Sequence, residues 1–160
     1  MRILVVSDSH GVNSVVGEAV QKAGKIDCMF HLGDVGLDYH EVEGMAGVPT
    51  YIVSGNSDYI PELHKRVIID VGGHRIYATH GHENNVEYTL DNLRYNAIQN
   101  DCDIALFGHT HKPFLEINEG DVTFANPGSI MIPRQEDKLQ TFLIIEIDEK
   151  DEVTYTFDHI

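Results

Sequence analysis

The sequence predicts an α/β fold in which two mixed sheets pack face to face with helices outside. Three observations predict it. The first third alternates short apolar runs with segments of helical period, as a parallel sheet with crossover helices requires. The second half carries pairs of apolar runs separated by turn residues, which read as antiparallel hairpins. The chain has 160 residues, 42% hydrophobic and 23% charged, which fits one globular domain over residues 1–160 with a substantial core.

Each element has its reason. Residues 2–7 are a continuous Ile-Leu-Val run that breaks into polar residues, as a strand buried on both faces does. Asn13 or Ser14 stands where a helix cap is needed, Val15, Val16, Ala19, Val20 and Ala23 fall on one helical face, and Gly24 ends the helix. Residues 28–31 form a second strand, followed by the loop Gly33-Asp34-Val35-Gly36. A weaker helix covers 38–45, and a third strand over 50–53 stops at Gly55-Asn56. Residues 67–71 and 75–79 flank Gly72-Gly73 as a hairpin. Val86, Leu90, Leu93 and Ala97 recur at helical spacing, which predicts a helix over 85–99. Residues 103–107 are another buried strand. Two further hairpins follow, 114–117 with 122–125 around Asn118-Glu119-Gly120-Asp121, and 141–147 with 153–157 around Asp148-Glu149-Lys150-Asp151.

Composition excludes several classes. A formal net charge of −15 argues against general nucleic-acid binding, which needs a basic footprint. It leaves phosphate substrates open, because bound cations reverse the local potential. No apolar run is long enough to span a bilayer. The N-terminus lacks the charged flank, long apolar stretch and cleavage site of a signal peptide, so a cytoplasmic protein is expected. Cys28 and Cys102 each sit in an apolar run and read as buried thiols rather than a disulfide.

Five short segments carry the chemistry, and each follows a predicted strand: Asp8-Ser9-His10, Gly33-Asp34, Gly55-Asn56, His80-Gly81-His82 and Gly108-His109-Thr110-His111. Ligands of open α/β sheets bind beyond the carboxyl ends of strands, so segments distant in sequence converge on one rim. Asp8 and His10, and likewise His109 and His111, are two apart and project together if extended. The set offers two carboxylates, one amide and four imidazoles, more than one tetrahedral zinc takes. It suits two divalent ions with Asp34 shared between them. Two such ions, two carboxylates and a hydroxide leave a single positive charge, which attracts a phosphate anion. Each segment alone has an ordinary reading: Asp8 as a helix cap, Asp34 and Asn56 as turn residues, His80 as a hydrogen-bonded half-buried histidine, residues 109–111 as a solvated loop. Their joint occurrence after strands favours metal. His40, His64, His74 and His159 read as surface residues, and His31 as a packing or supporting residue.

These segments, in this order, resemble the calcineurin-like metallophosphoesterases, whose pattern runs D-x-H, G-D, G-N, a histidine, then G-H-x-H. Gly55-Asn56-Ser57-Asp58, Thr79-His80-Gly81-His82 and Asn126-Pro127-Gly128-Ser129 look most like the compact YfcE-type phosphodiesterases. The resemblance implies a four-layer αββα sandwich. It implies a ligand split with Asp8, His10 and His111 on one ion, Asn56, His80 and His109 on the other, and Asp34 bridging. The implied activity is metal-dependent hydrolysis of phosphate esters, with diesters the class the subgroup implies, through in-line attack of a metal-bridging hydroxide. Manganese is the first expectation for the ions, with zinc, iron or nickel compatible with mixed oxygen and imidazole donors. The expected partner is a small phosphate ester, without membrane, and a homodimer fits relatives of this kind. Many relatives place a histidine after the G-N asparagine as a general acid; here Ser57 stands there. His82 and Asp58 are the candidate substitutes, Asp58 alternatively orienting a ligand histidine, and Arg134 is a candidate phosphate contact or a surface ion-pair partner. The rival class is a non-catalytic binding scaffold on the same fold, of the kind found in a small retromer subunit.

Overall fold

The structure, a computed structural model, describes residues 1–118 and 120–160; Glu119, in the turn expected before 122–125, lies outside the described residues. The elements run β1 (Arg2–Val6), α1 (Asn13–Ala23), β2 (Cys28–His31), α2 (Tyr39–Ala46), β3 (Thr50–Ile52), β4 (Arg66–Val71), β5 (His74–Thr79), α3 (Asp91–Gln99), β6 (Ile104–Leu106), β7 (Pro113–Glu116), β8 (Thr123–Pro127), β9 (Thr141–Ile147) and β10 (Val153–His159). They build two five-stranded mixed sheets, ordered β10-β9-β1-β2-β3 and β4-β5-β6-β8-β7. In the first sheet β1, β2 and β3 are parallel and β9 and β10 antiparallel. In the second, β5, β6 and β8 are parallel and the edge strands β4 and β7 run against them.

The alternation of side chains along each strand makes the four layers. Ile3 and Val5 of β1 point between the sheets, where they join Phe30, Leu32, Ile76, Leu106, Leu143 and Ile145. Leu4 and Val6 point the other way, into a second core with Val16 and Ala19 of α1 and Val42 of α2. On the far side Leu93 and Ala97 of α3 pack on Tyr77, Ala105 and Phe107. A strand with helices on one face and a second sheet on the other has no wet face, which is why β1 reads as an unbroken apolar run. Cys28 and Cys102 are free and buried, and burial, with Asp27 beside it, pushes the Cys28 thiol up to about 11.

Two expectations about helices are corrected. Neither Asn13 nor Ser14 caps α1: the N-cap position is Val12, without a side-chain cap. The Asn13 amide instead donates to Asp38 O and Glu41 Oε2, tying α1 to α2. The helix expected over 85–99 begins only at Asp91. A 3-10 turn, His82–Asn84, precedes it, and Asn85 adopts φ 56°. The Asp91 N–H donates to Thr89 Oγ1, which starts the helix late. Val86 and Leu90 still turn inward, so the helical period there marks burial without a continuous helix. No helix among the described residues is long and apolar enough to cross a membrane.

Candidate metal centre

The five segments meet on one rim, where β1, β2, β3, β5 and β6 all end. The loop after β1 is strapped to the loop after β2: Asp8 N–H donates to Gly33 O, His10 N–H to Asp34 O and Gly11 N–H to Val35 O. The loop after β6 is tied to that after β5 by Gly108 N–H to His80 O. Asn126 and Ser129, both fully buried, pin the rim from β8. The Asn126 amide donates to Gly108 O, and the Ser129 hydroxyl donates to Asp8 O. The sequence showed Asn126-Pro127-Gly128-Ser129 as a pattern but not this bracing role.

The local conformation differs from the extended geometry expected for Asp8 and His10 and for His109 and His111. All four, and Asp34, adopt left-handed φ between 48° and 67°. Each such residue costs on the order of 1 kcal/mol or more, and Asp and His are among the side chains that tolerate it best. The donors therefore converge by tight turns rather than by strand alternation. Close approach explains two glycines. A Cβ on Gly55 would overlap the Asp34 carboxylate, and one on Gly108 would overlap the Ser7 hydroxyl and crowd Asp8.

The donor geometry divides into two overlapping groups. Asp8, His10, Asp34 and His111 each bring one ligand atom to within 4.8 Å of the others. His80 Nε2 stands 3.0 Å from Asn56 Oδ1, 3.7 Å from Asp34 Oδ2 and 4.0 Å from Asp8 Oδ1. The His109 ring lies 5.2 Å from that of His80. Asp34 thus faces both groups.

The protonation pattern fits a cation. His80 Nδ1 lies 2.6 Å from Leu32 O and His111 Nδ1 2.7 Å from Ile132 O. A carbonyl only accepts, so the proton sits on Nδ1 and each Nε2 turns a lone pair toward the site. These lone pairs face oxygens that also only accept. Among the described residues, neither oxygen of Asp8, which has no exposure, nor His10 Nε2 is satisfied by a hydrogen-bond donor of good geometry; His111 Nε2 stands 3.1 Å from Asp8 Oδ1. A buried carboxylate and imidazole lone pairs left this way are costly unless a positive charge sits among them. Without one, the protons respond. Burial pushes Asp8 up, but His111 and His80 outweigh it and hold the carboxyl below its ordinary value. Burial opposes charge on His111, yet Asp8 lifts it above the ordinary value. Burial holds His109 below the ordinary range, with Glu87 opposing.

The remaining candidates separate. The half-buried His82 ring lies 5.4 Å from His80 and 6.1 Å from His109, and burial, then His80, lowers its pKa. Asp58 turns to the backbone. Its carboxylate accepts from the backbone N–H groups of Val35, Gly36 and Gly55, locking the loops after β2 and β3 together. Ser57 turns to Asp34: its N–H donates to Oδ1 at 2.8 Å and its hydroxyl to Oδ2 at 3.0 Å. Ser57→Ala is therefore expected to weaken metal retention about 10–100-fold, as loss of such supporting bonds does, and to leave the Brønsted slope for substituted phenyl diesters unchanged. A changed slope at full metal loading would place Ser57 against the leaving group instead.

Arg134 makes no ion pair among the described residues; its N–H donates to His111 O, and its side chain lines a cavity beside His109. His31 is buried, 2.9 Å from Ser9 Oγ. His40, His64 and His159 are exposed. His74, expected at the surface, is half-buried with Nδ1 bonded to Asp103. Sequence reasoning missed Glu87, whose Oε2 stands 3.7 Å from His109 Nε2; it was hidden inside the helix expected over 85–99. A larger cavity, of about 740 Å³, is lined by His74, Asp103 and Tyr155 and contains none of the donors.

Two mixed sheets that gather carboxylates, imidazoles and an amide at one rim define a metal-dependent phosphoesterase, and the comparisons agree. The calcineurin-like phosphoesterase superfamily domain matches residues 1–150, and the chain belongs to that family. It is 32% identical over 158 residues to the "Probable metallophosphoesterase YsnB" of Bacillus subtilis, covering 98% of this chain and 90% of that protein. The crystal structure of a predicted phosphoesterase from Streptococcus pneumoniae TIGR4 superposes with a TM-score of 0.81 at 31% identity, covering 99% of this chain and 97% of that one. At 20% identity, where likeness shows the fold alone, stand an archaeal phosphodiesterase (TM-score 0.77, 99% and 100% covered) and Entamoeba histolytica Vps29 complexed with zinc (TM-score 0.75, 99% of each).

Proposed function

We propose that this chain hydrolyses phosphodiesters at a centre of two divalent ions, with manganese the first candidate and the cytoplasm the expected compartment. The observation that carries the reading is the Asp34 carboxylate placed between Asp8, His10 and His111 on one side and Asn56 and His80 on the other. In this assignment Asp8, His10 and His111 hold one ion, Asn56, His80 and His109 the other, and Asp34 both. When bound, such ions supply Lewis-acid stabilisation of phosphoryl charge and make water nucleophilic near neutral pH.

The chain's own residues do the rest. The carbonyls of Leu32 and Ile132 fix the tautomers of His80 and His111. Ser57 orients Asp34 through two hydrogen bonds, and Asp58 holds the two loops in register. His82 presents its ring beside His80 and His109, where an imidazole N–H can donate to a phosphate or leaving oxygen. The choice of diesters rests on the likeness of Gly55-Asn56-Ser57-Asp58, Thr79-His80-Gly81-His82 and Asn126-Pro127-Gly128-Ser129 to the compact phosphodiesterase pattern.

The likeness to Vps29 supports the second reading, a binding scaffold without turnover. Metal binding alone does not separate the two, because a Vps29 also takes zinc. Turnover does. Elemental analysis of protein purified without chelator should approach two ions per chain, and bis(p-nitrophenyl) phosphate should be hydrolysed only in their presence. A ceiling of one ion would remove the dinuclear assignment; full loading with no ester cleaved would leave the scaffold.

A further inference from the structure

We infer that the cavity beside His109 seats one arm of the ester substrate, and that this arm is aromatic and carries an acidic group of its own. The inference rests on the phosphodiesterase reading and narrows its substrate class. The cavity holds about 510 Å³, within the roughly 300–1,000 Å³ that organic ligands fill. His109 forms part of its wall, so an ester held by the donors can lay an arm directly into it.

Its apolar side is made by Leu90, Phe107 and Phe114. Phe107 is buried, but Phe114, on the edge strand β7, is 38% exposed. The two rings stand 6.0 Å apart at 56°. Phe114 therefore offers apolar surface that the fold itself leaves uncovered. The exposed Phe114 ring, backed by Phe107, can pack a flat aromatic group by face or edge and gives little to a small alkyl or polyhydroxy arm.

Its polar side is cationic. Lys112 and Arg134 line the same cavity. On a chain of net charge −15, Arg2, Lys22, Lys65, Arg75 and Arg94 are all engaged in ion pairs. Lys112 and Arg134 have none among the described residues, as is also true of Lys25, Arg66, Lys138 and Lys150, but only these two line this cavity. Arg134 is anchored by its backbone bond to His111 O, which fixes the root of a planar fork suited to a carboxylate or phosphate. Glu87, the carboxylate of this lining, stands against His109 rather than pairing with either cation.

The test is calorimetric binding of three non-hydrolysable probes to metal-loaded protein: methylphosphonate, phenylphosphonate and 4-carboxyphenylphosphonate. Burying the ring should tighten binding about tenfold over methyl, and the carboxylate should add about threefold more at low salt. Phe114→Ala should shrink the phenyl-over-methyl ratio to about twofold while methylphosphonate binds as before, and Phe114→Leu, which keeps the strand's apolar cover, should fall between. Arg134→Met should abolish the carboxylate gain and spare the phenyl gain. Equal affinity for phenyl and methyl, no response to either Phe114 variant, or an equal loss for all three probes in Arg134→Met would overturn the inference; the last would put Arg134 on the reacting phosphoryl group. If no probe binds and no diester is cleaved, the phosphodiesterase reading falls first and takes this inference with it.

Discussion

Asp34→Asn is expected to lower diester turnover by about 10³-fold or more, since loss of merely supporting groups around a metal already costs 10–100-fold. The fold should survive. Asp34 Oδ1 accepts from the Ser57 N–H and Oδ2 from the Ser57 hydroxyl. Asparagine can keep its oxygen on the N–H and turn its NH2 to the hydroxyl, which accepts as readily as it donates. What the variant loses is the second oxygen, the one 3.8 Å from His10 Nε2 and 3.7 Å from His80 Nε2. Both ions should be lost in parallel, read by elemental analysis, while the urea midpoint of the metal-free protein moves little. Wild-type turnover with wild-type metal content would remove Asp34 from the centre. Loss of one ion with the other retained would make it a ligand to a single site.

The layered fold was legible because the strand patterns carry it. β1 and β2 are apolar on both faces, and Gly72-Gly73 sits where the β4–β5 hairpin turns. The convergence of five segments was legible because each follows a strand whose carboxyl end faces the same rim. The late start of α3 was not, because Val86, buried, and Leu90, half-buried, turn inward from an irregular segment at the spacing a helix would give. The left-handed turns at Asp8, His10, His109 and His111 were not, because their only sequence mark is that Asp and His tolerate such angles. The contacts of Ser57 and Asp58 were not legible, for one shared reason. A polar side chain beside a ligand can face the substrate or the backbone, and spacing does not distinguish them. Here Asp58 is taken by three backbone N–H groups and Ser57 by Asp34.

His31 gives the chain a stability that fails in acid. At the end of β2, between Val6 and Ile52, it has no exposure, and its Nδ1 has no partner among the described residues. Burial, only partly opposed by Asp8, Asp58 and Asp34, pushes its pKa from 6.5 down to about 4. The sign follows from which state binds the proton first. The unfolded chain protonates His31 near pH 6.5, and the folded chain does not until about pH 4. Stability is therefore full above pH 6.5 and declines as pH falls toward 4. At about 1.4 kcal/mol per unit, the loss across that window is about 3 kcal/mol. His31→Gln removes the titration and keeps a polar group near Ser9 Oγ. Urea unfolding of both proteins in chelator at pH 7.5 and pH 4.5 gives the comparison. His82 and His109, also lowered, and His111, raised, titrate in both proteins and cancel in the difference. Wild type should lose about 3 kcal/mol more than His31→Gln over that interval. The His31→Gln protein should start somewhat less stable at pH 7.5, because a buried amide replaces a fitted ring. Identical pH dependence in the two would mean that the folded chain admits a proton at His31 as readily as the unfolded one does. Its contact with Ser9, between Asp8 and His10, would then be no acid-sensitive strut for the first metal-binding loop.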